Sequence, residues 1–268
     1  MRRSLSHRKL EWSLDRLLSV EPEEEADVGQ RDHDRASHGG SIDRDVSVFF
    51  IVHLLKALTS EFEKHSIVEL GGGRGAFLIV ACGLLRSGQN LLSIERDPPR
   101  ANRLTDWATN ASTLIDANPW LFESRGAVPV VARADFARER IPELERLAQN
   151  GPCIFYCNNA NDVWRFDIDR HGNTTQSLME DRLRNCHVGS VLLAFDKCFL
   201  DDESWDEEVI LTRIPLGHIT WKTNSDGEVR FYRYKKVING ERVRAVRKRR
   251  TRIVQIDFTA DLSPVHEV

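Results

Sequence analysis

The sequence of residues 66–75 is Ser-Ile-Val-Glu-Leu-Gly-Gly-Gly-Arg-Gly, an apolar strand that runs into a glycine-dense turn and then into an apolar helix. Gly71, Gly73 and Gly75 leave no Cβ between the backbone and a ligand, and glycine tolerates the positive φ angles that a tight strand-to-helix turn needs. The stretch therefore predicts a site for a cofactor that carries a nucleotide.

Two acidic residues flank this turn. Glu95 ends the second predicted strand, about 20 residues beyond the glycines, where a carboxylate usually accepts hydrogen bonds from a ribose hydroxyl pair. The pattern Gly71-x-Gly73-x-x-Ala76 fits a dinucleotide-dependent dehydrogenase as well as a methyltransferase. Glu69 favours the methyltransferase, because a carboxylate just before the turn attracts a cationic cofactor such as S-adenosylmethionine and repels a pyrophosphate. A turn that only packs a helix on a strand is the structural alternative.

The composition fits one soluble α/β domain. The 268 residues are 41% hydrophobic and 29% charged, which is enough for one large core with short extensions. No apolar run reaches about 18 residues, and the basic start is followed by polar sequence, so we expect neither a membrane span nor a secretion signal. The five cysteines form no Cys-x-x-Cys pair and have no histidine at ligand spacing, which predicts reduced core thiols and no metal site.

Strands and helices alternate from residue 66 onward. We predict strands at 66–70, 90–95, 127–132, 152–156 and 189–195, and helices at 75–86, 98–110, 142–148 and 175–185. This alternation predicts a parallel sheet with helices on both faces. Residues 208–221 and 228–238 then alternate apolar with polar around Asn224-Ser225-Asp226-Gly227, which predicts a hairpin. We expect the class I methyltransferase fold, an α/β, Rossmann-like, mostly parallel seven-stranded sheet closed by a C-terminal antiparallel hairpin.

Three segments follow from these patterns. Residues 1–45 are predicted to hold a short amphipathic helix at 8–19 and an acidic loop of lid-like length. Residues 46–258 form the catalytic domain, which begins with a helix at 46–62 and ends in a basic strand at 242–257. Residues 259–268 are a tail.

Polar residues follow the third and fourth predicted strands. Asp135 is placed to accept a hydrogen bond from an adenine amino group, and Phe136 is placed to stack on the ring. Asn158 and Asn159 are unusual at a strand end, because asparagine is a poor strand former and is costly to bury. One interpretation is that they cap the strand as an Asx turn. The other is that they face the methyl acceptor, where the side-chain carbonyl of Asn158 would orient an amine without holding its proton as a carboxylate would.

Taken in order, these residues resemble the catalytic core of the disruptor-of-telomeric-silencing family, the histone H3 lysine methyltransferases that lack a SET domain. The family's glycine turn, Gly-x-Glu, Gly-Asp-Phe and paired asparagines are similar to residues 69–76, 93–95, 134–136 and 155–162, respectively. Its terminal hairpin is similar to the segment that contains Pro215, Trp221 and Phe231. The resemblance spans roughly residues 38–235.

The resemblance implies an S-adenosylmethionine-dependent histone-lysine N-methyltransferase that acts on nucleosomes in the nucleus. The implied lysine channel is lined by Asn158, Trp221 and Phe231. The basic segment 242–252 is expected to track DNA phosphates while an acidic loop meets a histone tail. The implied cofactor contacts come from the entry loop and the strand ends: His38, Ser41, Glu69, Gly71, Gly73, Gly75, Glu95, Asp135, Phe136 and Asn158.

Two alternatives stay open at this point. A class I methyltransferase that acts on RNA, DNA or a small molecule would use the basic hairpin as a nucleic-acid face. A catalytically silent adaptor of the same fold is favoured by the entry loop, where His38-Gly39-Gly40-Ser41 stands in place of the family's Tyr-Gly-Glu-Thr.

Overall fold

The computed structural model describes residues 51, 54–55, 65–73, 75–84, 89–117, 129–158, 163–199, 202–213, 228–237 and 251–257. The strands are β1 (Ser66–Leu70), β2 (Leu91–Glu95), β3 (Pro129–Arg133), β4 (Cys153–Cys157), β5 (Val191–Ala194), β6 (Trp205–Arg213), β7 (Glu228–Lys236) and β8 (Thr251–Asp257). The helices are α1 (Ala76–Leu84), α2 (Pro98–Ala117), α3 (Pro142–Asn150), α4 (Val163–Phe166) and α5 (Thr175–Leu183). Several predicted features lie outside the described residues: the segment 1–45 with His38 and Ser41, Trp221 and the hairpin turn around it, the basic residues 242–250, and the tail.

The strands form one eight-stranded sheet in the order β3-β2-β1-β4-β5-β7-β6-β8. Strands β1 to β5 are parallel to one another, and β7 runs antiparallel to both β5 and β6. The predicted fold class is therefore confirmed. This is the class I methyltransferase fold.

One strand more than predicted belongs to the sheet. The C-terminal strand β8 pairs in parallel with β6 from Glu207↔Thr251 to Arg213↔Asp257. This pairing satisfies the backbone groups along the outer edge of β6, which would otherwise be an unpaired sheet edge. The prediction counted the basic strand but left it out of the sheet, because its alternation alone did not specify a pairing partner.

The central strands are buried on both faces. All residues of β2, β4 and β5 are buried, as expected for parallel strands covered by helices on each side. Val130 of the outer strand β3 is about half exposed, which matches its position at the edge. All five cysteines are buried free thiols, so the prediction of core thiols is confirmed. In the described part of the chain, no helix has both the length and the apolar character to cross a membrane.

The parallel arrangement brings four strand ends to one edge of the sheet. Gly71, Arg96, Ala134 and Asn158 follow directly after β1, β2, β3 and β4. In open α/β sheets, ligands bind in the crevice outside these carboxyl ends. The polar residues that the sequence analysis singled out at separate strand ends therefore lie along one edge.

Candidate cofactor site

The glycine turn packs directly on its neighbours. Gly71 has φ +81°, and the N–H groups of Gly71 and Gly72 donate to the Ile94 carbonyl at 2.9 and 3.0 Å. A Cβ built on Gly72 would lie 2.5 Å from Cδ1 of Leu104 and 2.5 Å from Oγ of Ser93. Gly72 is therefore required by close packing under the turn, a position to which the sequence analysis gave no role.

Gly71 faces the opposite way, toward the crevice. A Cβ built on it would meet Cζ2 of Trp164 at 3.8 Å, an ordinary van der Waals distance. The crevice side of the turn is thus bounded by an aromatic side chain from the segment after β4.

Glu95 ties the end of β2 to the glycine turn. Its Oε2 accepts from the Gly73 N–H at 2.8 Å, and its Oε1 accepts from the Asp97 N–H at 2.8 Å. Burial raises the pKa of Glu95, and the two backbone N–H groups oppose that shift. A carboxylate has further lone pairs on each oxygen, so these bonds leave acceptor capacity for ribose hydroxyls. The ribose role of Glu95 stays a prediction.

Glu69 lies beneath the turn. Its side chain is buried, with the residue 2% exposed, and Oε2 accepts a hydrogen bond from Ser93 Oγ at 2.6 Å. Gly72 lies directly above, because a Cβ there would be 3.5 Å from Glu69 Oε2. Burial, with a contribution from the Glu69 charge, raises the pKa of the Cys82 thiol to about 12. Glu69 thus joins β1 to β2 and places acidic character under the turn; its contact with a cofactor stays a prediction.

Asp135 and Phe136 are partly engaged by the protein itself. Asp135 Oδ1 accepts from the Ala137 N–H at 2.9 Å, and Oδ2 pairs with Nη1 of Arg138 at 2.9 Å. The ring of Phe136 is buried and lies 4.8 Å from that of Trp164, tilted by 47°. The Asp135 carboxylate, predicted to contact adenine, thus also caps a turn, and the Phe136 ring, predicted to stack on adenine, packs on a second aromatic residue.

Two arginines and two aspartates form a charge cluster at this end of the crevice. Asp167 Oδ2 lies 3.0 Å from Nη1 of Arg96 and 3.3 Å from Nη1 of Arg138, while Asp135 lies 3.8 Å from Arg96. Thr175 Oγ1 donates to Asp167 Oδ2 at 2.6 Å. Burial alone would raise the pKa of Asp167, but the Thr175 hydroxyl and the two guanidinium groups outweigh it and lower the pKa.

Trp164 and Asp167 were not predicted from the sequence. Both come from the segment after β4, which has no apolar period and received no predicted element. The signal that was available is a tryptophan in a polar stretch shortly after the paired asparagines at a strand end. The two arginine partners of Asp167 are 29 and 71 residues away along the chain, so no local pattern could have supplied them.

Of the three residues predicted to line a substrate channel, Asn158 and Phe231 lie in the described part of the chain and Trp221 does not. Asn158 follows β4, whose last residue, Cys157, pairs with Leu70 of β1. Phe231 lies on β7, is 1% exposed, and has its ring centroid 6.5 Å from that of Phe195. Its burial is that of a core residue, and its role as a channel wall stays a prediction. Asn159 lies outside the described residues.

No protein-family model matches the sequence, and no curated protein sequence matches it. Solved structures with a similar backbone include the O-methyltransferase TomG from Streptomyces achromogenes in complex with SAM (14% identity, 89% of this chain and 100% of that chain, TM-score 0.41). They also include the M protein of the type I restriction enzyme EcoKI (13% identity, 78% and 47%, TM-score 0.40) and the type IIG restriction endonuclease BpuSI (10% identity, 78% and 27%, TM-score 0.45).

Proposed function

We propose that this protein is an S-adenosylmethionine-dependent methyltransferase, with the cofactor bound along the carboxyl ends of β1 to β4. The backbone of the glycine turn is the observation that carries the proposal. In dinucleotide-binding folds, N–H groups of this turn and of the following helix face the pyrophosphate. Here the N–H groups of Gly71 and Gly72 donate to Ile94, and that of Gly73 donates to Glu95.

Two acidic side chains next to the turn also disfavour the binding of a pyrophosphate. Glu95 contacts the turn and Glu69 lies under it. These three backbone N–H groups are therefore not free to bind a pyrophosphate, and the two acidic side chains would repel it. The positively charged sulfonium of S-adenosylmethionine is attracted by the same acidic side chains. This distinction favours the methyltransferase over the dehydrogenase, which the glycine spacing by itself left open.

The described residues suit parts of such a cofactor. Glu95 is positioned for ribose hydroxyls, and Gly71 leaves the crevice side of the turn free of a Cβ. S-adenosylmethionine supplies an electrophilic methyl group, so the protein must bring a nucleophile into line with it. Asn158, at the end of β4 beside β1, offers a carbonyl acceptor that orients an amine without stabilising its charged form as a carboxylate would.

Calorimetric titration tests the cofactor assignment. We expect S-adenosylmethionine and its demethylated product, S-adenosylhomocysteine, to bind in the micromolar range or tighter, and NAD to bind at least about 100-fold more weakly, since the N–H groups of Gly71, Gly72 and Gly73 already donate within the protein. Equal or tighter binding of NAD would refute the assignment.

For the methyl acceptor, we propose the ε-amine of a histone H3 lysine in the nucleosome, which places the protein in the nucleus. This proposal is supported by the resemblance of the strand-end motifs to those of the histone H3 lysine methyltransferases that lack a SET domain. It is also supported by the apolar pair Phe195 and Phe231, which lies near the edge of the sheet where Asn158 follows β4. A lysine with a pKa near 10.4 is charged at neutral pH and cannot attack. Apolar surroundings lower that pKa by penalising the charged form.

One observation favours a second acceptor class, a nucleic acid or an aromatic small molecule. Phe166 is 72% exposed and Ile168 is 59% exposed on the segment that borders the crevice, and exposed Arg170 follows. An exposed aromatic ring next to arginine is typical of surfaces on which bases stack.

Methyl transfer from labelled S-adenosylmethionine separates the two classes. We expect transfer to nucleosomes and none to RNA, DNA or a panel of phenols and amines. If a histone lysine is the acceptor, the Phe166→Ala variant should methylate nucleosomes at a rate within about twofold of the unmodified protein. The reason is that an exposed residue that only borders the site contributes little to activity. Transfer to RNA that is lost in Phe166→Ala would replace the histone proposal with the nucleic-acid one.

A further inference from the structure

The segment 164–175, here called the strap, crosses the crevice. It comes after β4 in the chain, and its Trp164 lies against Gly71 at the end of β1. Three residues later, Asp167 reaches Arg96 after β2 and Arg138 after β3. Since β4, β1, β2 and β3 are successive neighbours in the sheet, the strap spans the carboxyl ends of β1 and β2.

Local hydrogen bonds fix the shape of the strap. The Asp167 carbonyl accepts from the Thr175 N–H at 3.0 Å, and Ile168 and Thr174 form an isolated antiparallel bridge. Asp169 Oδ1 accepts from the N–H groups of His171 and Asn173 at 2.8 and 2.9 Å. The loop is thus closed on itself. Asp167 fastens it to the arginines that follow β2 and β3, and Arg165 also fastens it to the Lys197 carbonyl beyond β5.

The strap has an unusual orientation for a segment that only covers a core. The side chains of Trp164 and Asp167 point inward, and that of Asp167 is 17% exposed. Phe166 and Ile168, on either side of Asp167, point outward and are 72% and 59% exposed. For Asp167, Phe166 and Ile168, burial of apolar groups and hydration of charges would favour the reverse arrangement, whereas the inward Trp164 packs against the hydrophobic core. Apolar burial therefore explains the position of the indole but not that of the carboxylate.

We propose that Trp164 is a cofactor-contacting residue and that Asp167 is the residue that positions it. The indole forms the crevice face opposite Gly71 and packs on Phe136, so a ligand that enters along the strand ends touches it. The ion pairs of Asp167 with Arg96 and Arg138 hold the strap down, and the cofactor enters and leaves when they open. This inference rests on the proposed function.

Tryptophan fluorescence tests the contact. Titration with S-adenosylhomocysteine is expected to change the emission of the unmodified protein and of Trp107→Phe, a matched control on the half-buried part of α2. In Trp164→Phe the change should fall at least about fivefold. This variant is expected to stay folded, because phenylalanine keeps the packing on Phe136. A full emission change in Trp164→Phe, measured at saturating ligand, would overturn the contact.

The positioning role is tested by charge removal at two neighbouring aspartates. Asp167→Asn is expected to weaken S-adenosylhomocysteine binding about tenfold. Asp169→Asn should change it less than twofold, because the hydrogen bonds that Asp169 accepts from His171 and Asn173 lie within its own loop. Raising the ionic strength from about 0.05 to about 0.5 M should weaken binding to the unmodified protein and leave Asp167→Asn nearly unaffected, since salt screens the same ion pairs.

The outcomes separate this inference from the function on which it rests. If the unmodified protein binds neither S-adenosylmethionine nor S-adenosylhomocysteine, both proposals fail. If it binds them and Asp167→Asn behaves as Asp169→Asn does, or keeps the full salt dependence, the positioning role of Asp167 is wrong while the methyltransferase assignment stands.

Discussion

Replacing Gly72 with alanine tests how tightly the glycine turn packs on β2 and α2. The added Cβ would lie 2.5 Å from Leu104 Cδ1 and 2.5 Å from Ser93 Oγ. Non-bonded carbon atoms pack at about 3.5–4.0 Å, so both neighbours would have to move by roughly an ångström. Leu104 is fully buried, and Ser93 donates to Glu69 at 2.6 Å, so neither has free space to enter.

Two costs contribute to the expected loss of stability. Overpacking in a filled interior costs about 1–3 kcal/mol. Displacing the Ser93 hydroxyl also weakens a buried hydrogen bond to the acidic Glu69, which is worth about 1.5–3 kcal/mol when fully lost. We expect Gly72→Ala to lower the free energy of unfolding by about 3 kcal/mol, equivalent to about 6–12 °C in Tm for a chain of this size.

Urea and thermal unfolding measure this loss, and two other glycines serve as controls. A Cβ on Gly151 would meet nothing within 4 Å, and its φ of 166° is extended, so Gly151→Ala should be neutral. Gly71→Ala should cost about 1–2 kcal/mol from its positive φ alone. If Gly72→Ala were within about 0.5 kcal/mol of Gly151→Ala, the close packing under the turn would be wrong.

Three further changes have defined outcomes. Gly73→Arg fills the turn and should abolish S-adenosylmethionine binding in calorimetry; retained affinity would remove the cofactor from this crevice. Asn158→Ala should fold and bind the cofactor but transfer methyl at least about 100-fold more slowly, whereas Asn110→Ala on the exposed side of α2 should be silent. Burial lowers the pKa of Lys236, so its protons are bound more weakly in the folded state and stability should rise with pH between that lowered pKa and the ordinary lysine value of about 10.4. The difference in unfolding free energy between the unmodified protein and Lys236→Met should show this slope, and a flat difference would contradict the shifted pKa.

Element types and strand ends were predictable because they follow from local patterns. Strand β1 was predicted at the residues where it occurs, and β2 to β5 were predicted to within a few residues, since buried parallel strands are short apolar runs between polar turns. Helix α2 extends to residue 117, beyond its predicted end at residue 110. The helix α4 was missed altogether, since its four residues are too short for any period to show.

The contacts of the site were less predictable than its residues. Glu69 and Glu95 were both identified from their distance to the glycines, yet one lies under the turn and the other against it. That difference depends on which direction each side chain takes from its strand and on the position of Ser93. Neither is encoded in residue spacing.

The sequence by itself determined the fold class and the line of polar residues along one edge of the sheet. Alternating apolar strands and helices admit few topologies, and parallel strands must end on the same side. Only the tertiary structure decided that the N–H groups of Gly71, Gly72 and Gly73 are used internally, that β8 completes the sheet, and that the strap carries Trp164 and Asp167 across the crevice. Those features join residues that are far apart in the chain, and such contacts form only once the whole sheet has brought their partners together.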